Sequence, residues 1–181
     1  VHLAGLEFAA RRLDRASILQ MDARSIPYRE EFDVACAFDV VEHIEDDIGV
    51  MKQMFAAVRP GGGILVTVPQ HRWLWSYKDD FAFHKRRYSR GQLLAALRSA
   101  GFQDCWTTSF VSLLLPLMAA SRLSQKTPKG FDASKELEIG SVANALMGGA
   151  MAAEFLIIRS GISLPAGGSL LAVGRRPMVR H

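Results

Sequence analysis

Phe32-Asp33-Val34-Ala35-Cys36-Ala37-Phe38 runs directly into Asp39-Val40-Val41-Glu42-His43-Ile44-Glu45-Asp46-Asp47. From Asp33 to Phe38 the run is almost unbroken in its apolarity, as in a parallel strand covered on both faces. A dense group of acids and one imidazole follows it, and Asp46 and Asp47 stand where carboxylates cap a helix start and favour its positive end. In open parallel sheets ligands bind at the carboxyl ends of strands. A strand that delivers Asp39, Glu42 and His43 at its end therefore presents a candidate site, and the remaining chain is read outward from it.

Downstream, Val50, Met51, Met54, Phe55 and Val58 recur at helical spacing and stop at Arg59-Pro60-Gly61-Gly62-Gly63. These glycines follow a helix and precede a strand, the reverse of a dinucleotide-binding loop, so they are read as a turn. Ile64 to Val68 is the next strand, closed by Pro69. The connection after it carries Trp73, Trp75 and Tyr77, aromatic area that suits a lid or substrate wall, or a simple cover for the sheet end. Ser89 caps a helix ending at Gly101, and Phe102 to Phe110 is a further strand.

Upstream, Leu3, Leu6, Ala9, Ala10 and Leu13 follow a 3.6-residue period and predict an amphipathic helix. Ser17-Ile18-Leu19-Gln20-Met21 reads as a short strand ending on Asp22-Ala23. The start has neither an initiator Met nor the order of a signal peptide, and looks like a chain cut in mid-domain.

Beyond Phe110 come two apolar stretches. Residues 110–120 reach about half the roughly 20 residues a membrane span needs and are interrupted by Pro116. Residues 139–158 are long enough but hold Asn144, Glu154 and Gly148-Gly149; Val142, Leu146, Met151, Phe155 and Ile158 recur at helical spacing, so a packed helix is expected rather than a membrane span. Residues 111–165 are thus read as a helical cover or an apolar tunnel for substrate. Gly167 to Val173 is the last strand, before a basic tail.

The 181 residues fit one domain, and 49% hydrophobic content supports an ordinary core. The net charge of +4 is spread along the chain, with local concentrations only at Lys85-Arg86-Arg87 and Arg175-Arg176, which argues against nucleic acid as a partner. Cys36 and Cys105 lie in apolar strands and read as buried free thiols, consistent with a reducing, cytoplasmic setting. Alternating helices and strands predict a doubly wound α/β sheet, with five strands.

Taken in order, Asp22-Ala23 after a strand, Asp39-Val40-Val41-Glu42-His43, Arg59-Pro60-Gly61-Gly62 before a strand, and Gly101-Phe102 after a helix resemble class I S-adenosylmethionine-dependent methyltransferases. The resemblance implies a Rossmann-like sheet of order 3-2-1-4-5-7-6 with the seventh strand antiparallel, of which strands three to seven lie in this sequence. The first strand, its G-x-G-x-G turn and the second strand with its acidic ribose ligand are missing, so the chain by itself is expected to bind cofactor poorly.

Residue by residue, the resemblance implies that Asp22 accepts from the adenine amino group and the Ala23 N–H donates to the ring, although Asp22 also suits a turn-former. Phe38 and Asp39 match positions flanking the methionine and sulfonium. Glu42, His43 and His84 fall on the acceptor side, with His43 or His84 as base and scaffolding the alternative for His43. Trp73, Trp75, Arg87 and Tyr88 are the candidate substrate-binding residues. Asp39, Glu42, His43 and His84 also resemble the metal ligands of small-RNA 2′-O-methyltransferases, which implies a divalent ion as a further, less favoured option.

The expected function is methyl transfer to an oxygen of a small-molecule or lipid-like acceptor. The alternatives are a non-catalytic remnant or binding subunit, and a nicotinamide-dependent oxidoreductase, which the Pro60-Gly61-Gly62 turn and the acid–imidazole cluster disfavour. A homodimer would cover exposed apolar helices.

Overall fold

In the computed structural model, which describes residues 3–13, 15–124 and 140–178, four strands form one sheet: β1 (Phe32–Phe38), β2 (Val58–Pro69), β3 (Gln103–Phe110) and β4 (Ser169–Arg175), in the order β1-β2-β4-β3. β1 and β2 are parallel, and β4 is antiparallel to both β2 and β3. That is the 4-5-7-6 half of the expected order, with the last strand reversed as expected. The helices are α1 (Leu3–Ala10), α2 (Asp47–Ala57), α3 (Tyr77–Phe81), α4 (Arg90–Ser99), α5 (Leu115–Ser124) and α6 (Ser141–Arg159).

α2 and α4 pack on the sheet and close the core. Met51, Ile64, Leu93, Leu97, Phe102 and Leu170 are fully enclosed there. Both helices begin as their sequences dictate. The Asp46 carboxylate accepts from the Gly49 N–H at the start of α2, and Ser89 and Gln92 form a reciprocal capping box on α4. Gly101 ends the second at φ +109°, a left-handed value that glycine adopts without strain.

Several expectations are corrected. Residues 17–21 form no strand. An extended segment needs a ladder partner for its N–H and C=O groups, and in the expected order the third strand would pair with the second, which this sequence lacks. Among the described residues the sheet accordingly has four strands rather than five. β1 is the edge among the described residues and is covered on one face only: Val34, Cys36 and Phe38 are exposed, whereas Ala35 and Ala37 turn to the core. Cys36 is therefore an exposed thiol, not a buried one.

The glycine turn is absorbed into β2. Phe32 pairs with Val58 and Val34 with Gly63, so residues 59–62 bulge opposite one residue of β1, with Gly61 at φ +82°. Arg176 belongs to no basic surface cluster: its guanidinium donates to the Phe55 and Val58 carbonyls at 2.9 and 2.7 Å and lies 4.7 Å over the Phe55 ring.

The largest difference concerns α6. The helix forms where expected but is covered on one side only: Val142 and Leu146 are both 72% exposed and Phe155 59%, whereas Met151 and Ile158 are half-buried and Glu154 is its buried residue. Periodicity identifies which residues share a face, not what covers that face. By length and composition alone α6 is long and apolar enough to cross a membrane. Residues 125–139 of the predicted cover lie outside the described residues.

Candidate active site

β1 and β2 run parallel, and β3 shares their direction because β4 opposes both β2 and β3. The segments after β1, β2 and β3 therefore emerge at one end of the sheet. The first contains a 3₁₀ turn at Val41–His43, the second the aromatic loop and the third α5 and α6.

Asp39 leaves β1 at φ +50°, with its N–H held by the Thr67 carbonyl at 3.0 Å. This left-handed residue ends the strand and redirects the chain into the 3₁₀ turn. Glu42 is consequently driven inside, fully enclosed, and neither carboxylate oxygen has a hydrogen-bond partner. Burial, aided by the neighbouring Asp39 charge, pushes its carboxyl up to about 7. His43 is exposed, and its ring meets that of His84 edge-on at 4.7 Å.

His84 is held from behind. Its Nδ1 lies 2.9 Å from Asp79 Oδ1, and the same carboxylate accepts from Arg87 Nε at 2.7 Å and from a second guanidinium nitrogen at 3.1 Å. Burial of Asp79 opposes its ionisation, but the Arg87 and His84 bonds outweigh this and hold the carboxyl below its usual range. An ionised Asp79 is acceptor-only, so His84 Nδ1 carries the hydrogen, which makes Nε2 the lone-pair atom of the neutral ring. Donor atoms of Glu42, His43 and His84 all lie within 4.8 Å of one another, close enough to share a metal ion. Asp39 is not in that group.

Asp79 is the residue the sequence reading missed. Its visible signal, Ser76 three residues before it, is that of a capping box, and the box does form. The link to His84 and Arg87 crosses an irregular loop beyond the end of α3, where no regular period applies, so only the folded loop shows it.

Other candidates separate into two groups. Asp22, Ala23 and Arg24 face His43, Ile44 and Glu45 across a cleft of about 740 Å³. Within it, Arg24 binds both Asp22 oxygens through its guanidinium and donates its N–H as well, which holds the carboxyl down to about 2. Phe38 is exposed at the end of β1. Trp73 is exposed, and Trp75 donates its indole N–H to Asp80 at 3.0 Å.

Arg87 and Tyr88, by contrast, serve the framework. The Arg87 side chain is enclosed against Asp79 and also donates to the Gln70 carbonyl. The Tyr88 hydroxyl donates to Asp47 at 2.6 Å from the core, and burial with that bond pushes its pKa up. Both expected substrate contacts thus have their polar groups engaged by the protein.

An open, mixed sheet whose three co-directional strands end at a cleft and an acid–imidazole cluster has the layout of α/β proteins that hold ligands at their strand ends. The chain belongs to the methyltransferase-domain family, whose model matches residues 2–105, and the class is the S-adenosylmethionine-dependent one. A curated relative from Mycolicibacterium smegmatis, named a probable S-adenosylmethionine-dependent methyltransferase, is 30% identical over 95 residues, 51% of this chain and 37% of its own length. The chain thus spans little more than a third of that relative.

Two solved structures share the fold. A methyltransferase from Thermotoga maritima superposes with a TM-score of 0.58 at 19% identity, over 94% of this chain and 68% of its own. The cyclase SpnF gives 0.56 at 22% identity, over 97% of this chain and 63% of its own. At these identities the likeness concerns the fold, and one of the two is named for a cyclisation, so the fold does not fix the reaction.

Proposed function

We propose that the whole protein transfers the methyl group of S-adenosylmethionine to an oxygen of a small or lipid-linked acceptor, in a cytoplasmic setting, with His84 as the base. The observation that carries this reading is the Asp79–His84 pair. An anchored Nδ1–H leaves Nε2 free to take the acceptor hydroxyl proton as the oxygen–methyl bond forms and the sulfur–methyl bond breaks, releasing S-adenosylhomocysteine. Because the sulfonium already activates the carbon, alignment is the protein's main task.

In this reading Asp22 and the Ala23 N–H would hold adenine across the cleft, and Asp22 would exchange its Arg24 bonds for the adenine amino group. Phe38 and Asp39 flank the methionine and sulfonium. His43 stands on the acceptor side, with Trp73 and Trp75 as the wall through which acceptor enters. Arg87 acts as a positioning residue through Asp79.

A second reading is favoured by the two orphaned Glu42 oxygens. A divalent ion held by Glu42, His43 and His84 would satisfy them and would acidify the acceptor hydroxyl directly.

Calorimetry with S-adenosylmethionine and with NADH, on this chain and on one extended upstream of Val1, tests the class. The extended chain should bind S-adenosylmethionine alone. Binding of neither would leave a non-catalytic subunit, and preference for NADH an oxidoreductase. In the active protein, His84→Ala should cut kcat by roughly 10²-fold or more and leave cofactor affinity unchanged, whereas Asp22→Ala should weaken the cofactor. Equal loss of affinity in both would overturn the division of roles. Activity that a chelator abolishes and one divalent ion restores would select the metal reading over the free base.

A further inference from the structure

The apolar surface of α6 is arranged about one residue. Glu154 is enclosed, and one of its oxygens accepts from the Ser112 and Leu113 N–H groups at 2.7 and 3.0 Å. The one acid of the helix is thereby turned into the protein and seats its C-terminal third on the end of β3. At about 100° per residue, Phe155, Leu156, Val142 and Leu146 spread over about 180° of the helix surface, centred opposite Glu154. All four are more than half exposed. Such an arc is wider than the stripe one packed helix covers.

The surface around it has a matching chemistry. α5 packs beside the 3₁₀ turn Arg72–Leu74, so the helical insertion adjoins the aromatic loop. In that loop Trp73, Phe81 and Phe83 are 59, 57 and 78% exposed. Arg87 is enclosed on Asp79 and Arg86 pairs with Asp47, so the cations this end offers to solvent include Arg72, Lys85 and Arg159, all exposed. Apolar helix, exposed aromatic rings and exposed cations are the three components of an interfacial membrane contact: the helix enters the acyl boundary, the rings sit at headgroup depth and the cations meet anionic lipid.

We propose that this end of the domain docks on the surface of an anionic lipid bilayer, with the face of α6 opposite Glu154 inserted and the Trp73–Phe83 loop at the headgroups. Docking in this way faces the cleft end of the sheet toward the membrane. A lipid-linked acceptor then reaches His43 and His84 without crossing water. The docking itself is independent of the reaction assigned to the site, since neither α6 nor the exposed rings belong to the acid–imidazole cluster.

Flotation of the protein with vesicles tests it, with no cofactor or acceptor present, so failure here and failure of the methyl-transfer reading are separate results. The protein should float with phosphatidylcholine vesicles containing one-third phosphatidylglycerol and more weakly with phosphatidylcholine alone. Leu146→Glu with Phe155→Glu should lower partitioning by roughly tenfold or more and leave the melting temperature unchanged, since both side chains are exposed. Arg72→Glu with Lys85→Glu should remove the preference for anionic vesicles. Flotation that neither pair of substitutions changes would overturn the proposal. A vesicle-indifferent dimer in sedimentation, dissociated by the Leu146/Phe155 pair, would assign the face to a second copy instead.

Discussion

Glu42 carries two buried oxygens that no protein group satisfies, an arrangement that costs stability whenever the carboxyl is ionised. Its pKa of about 7 in the fold, against 4.5 for an ordinary glutamate carboxyl, makes that cost a function of pH. Between these values the unfolded chain releases the proton while the folded chain keeps it, so stability falls as pH rises from about 4.5 to 7 and levels off above. The whole change amounts to about 3 kcal/mol. Urea titrations of Glu42→Gln at pH 5 and pH 7.5, in chelator-treated protein, should show this difference largely removed. Bound divalent metal would reverse the sign for the natural protein, because an ionised Glu42 is then the favoured form. Glu42 was legible in the sequence as part of a strand-end cluster, but its inward direction was not, because it depends on the left-handed turn at Asp39.

Among the elements, α2 shows how local signals and distant residues share one task. Its start is written locally, in Asp46 and Gly49. Its end is held from across the fold by Arg176, which collects carbonyls of the last turn, stacks on Phe55 and pairs with Glu30. Arg176→Ala should therefore destabilise the protein by about 1–3 kcal/mol in equilibrium unfolding. Lysine should restore only part of it, because it lacks the planar fork that reaches several acceptors at once. The same contrast separates α4 from α6. Both were legible as helices from their spacing, yet α4 meets the sheet, while the large apolar residues of α6 face outward on the side away from Glu154.

At the scale of the molecule, the sheet is covered unevenly. Val34, Cys36 and Phe38 form an open face on the edge strand, whereas Cys105 is half-buried and burial pushes its thiol pKa up. In the 181-residue chain taken by itself, an aromatic disulfide reagent should thus titrate one thiol quickly, and Cys36→Ser should abolish that phase; Cys105 should react fully only in denaturant. The sequence by itself determined the α/β class, the methyltransferase family, the helix caps and the strand-end cluster, because these depend on periodicity, capping chemistry and short motifs carried by neighbouring residues. It could not determine that residues 17–21 stay unpaired, that Cys36 is exposed, that Arg87 and Tyr88 are held by Asp79 and Asp47, or that α6 presents its apolar side outward. Those outcomes depend on which surfaces meet across long separations in the chain. Only the tertiary structure decides that, because a ladder, a salt bridge or a covered face exists only when its second partner is in place.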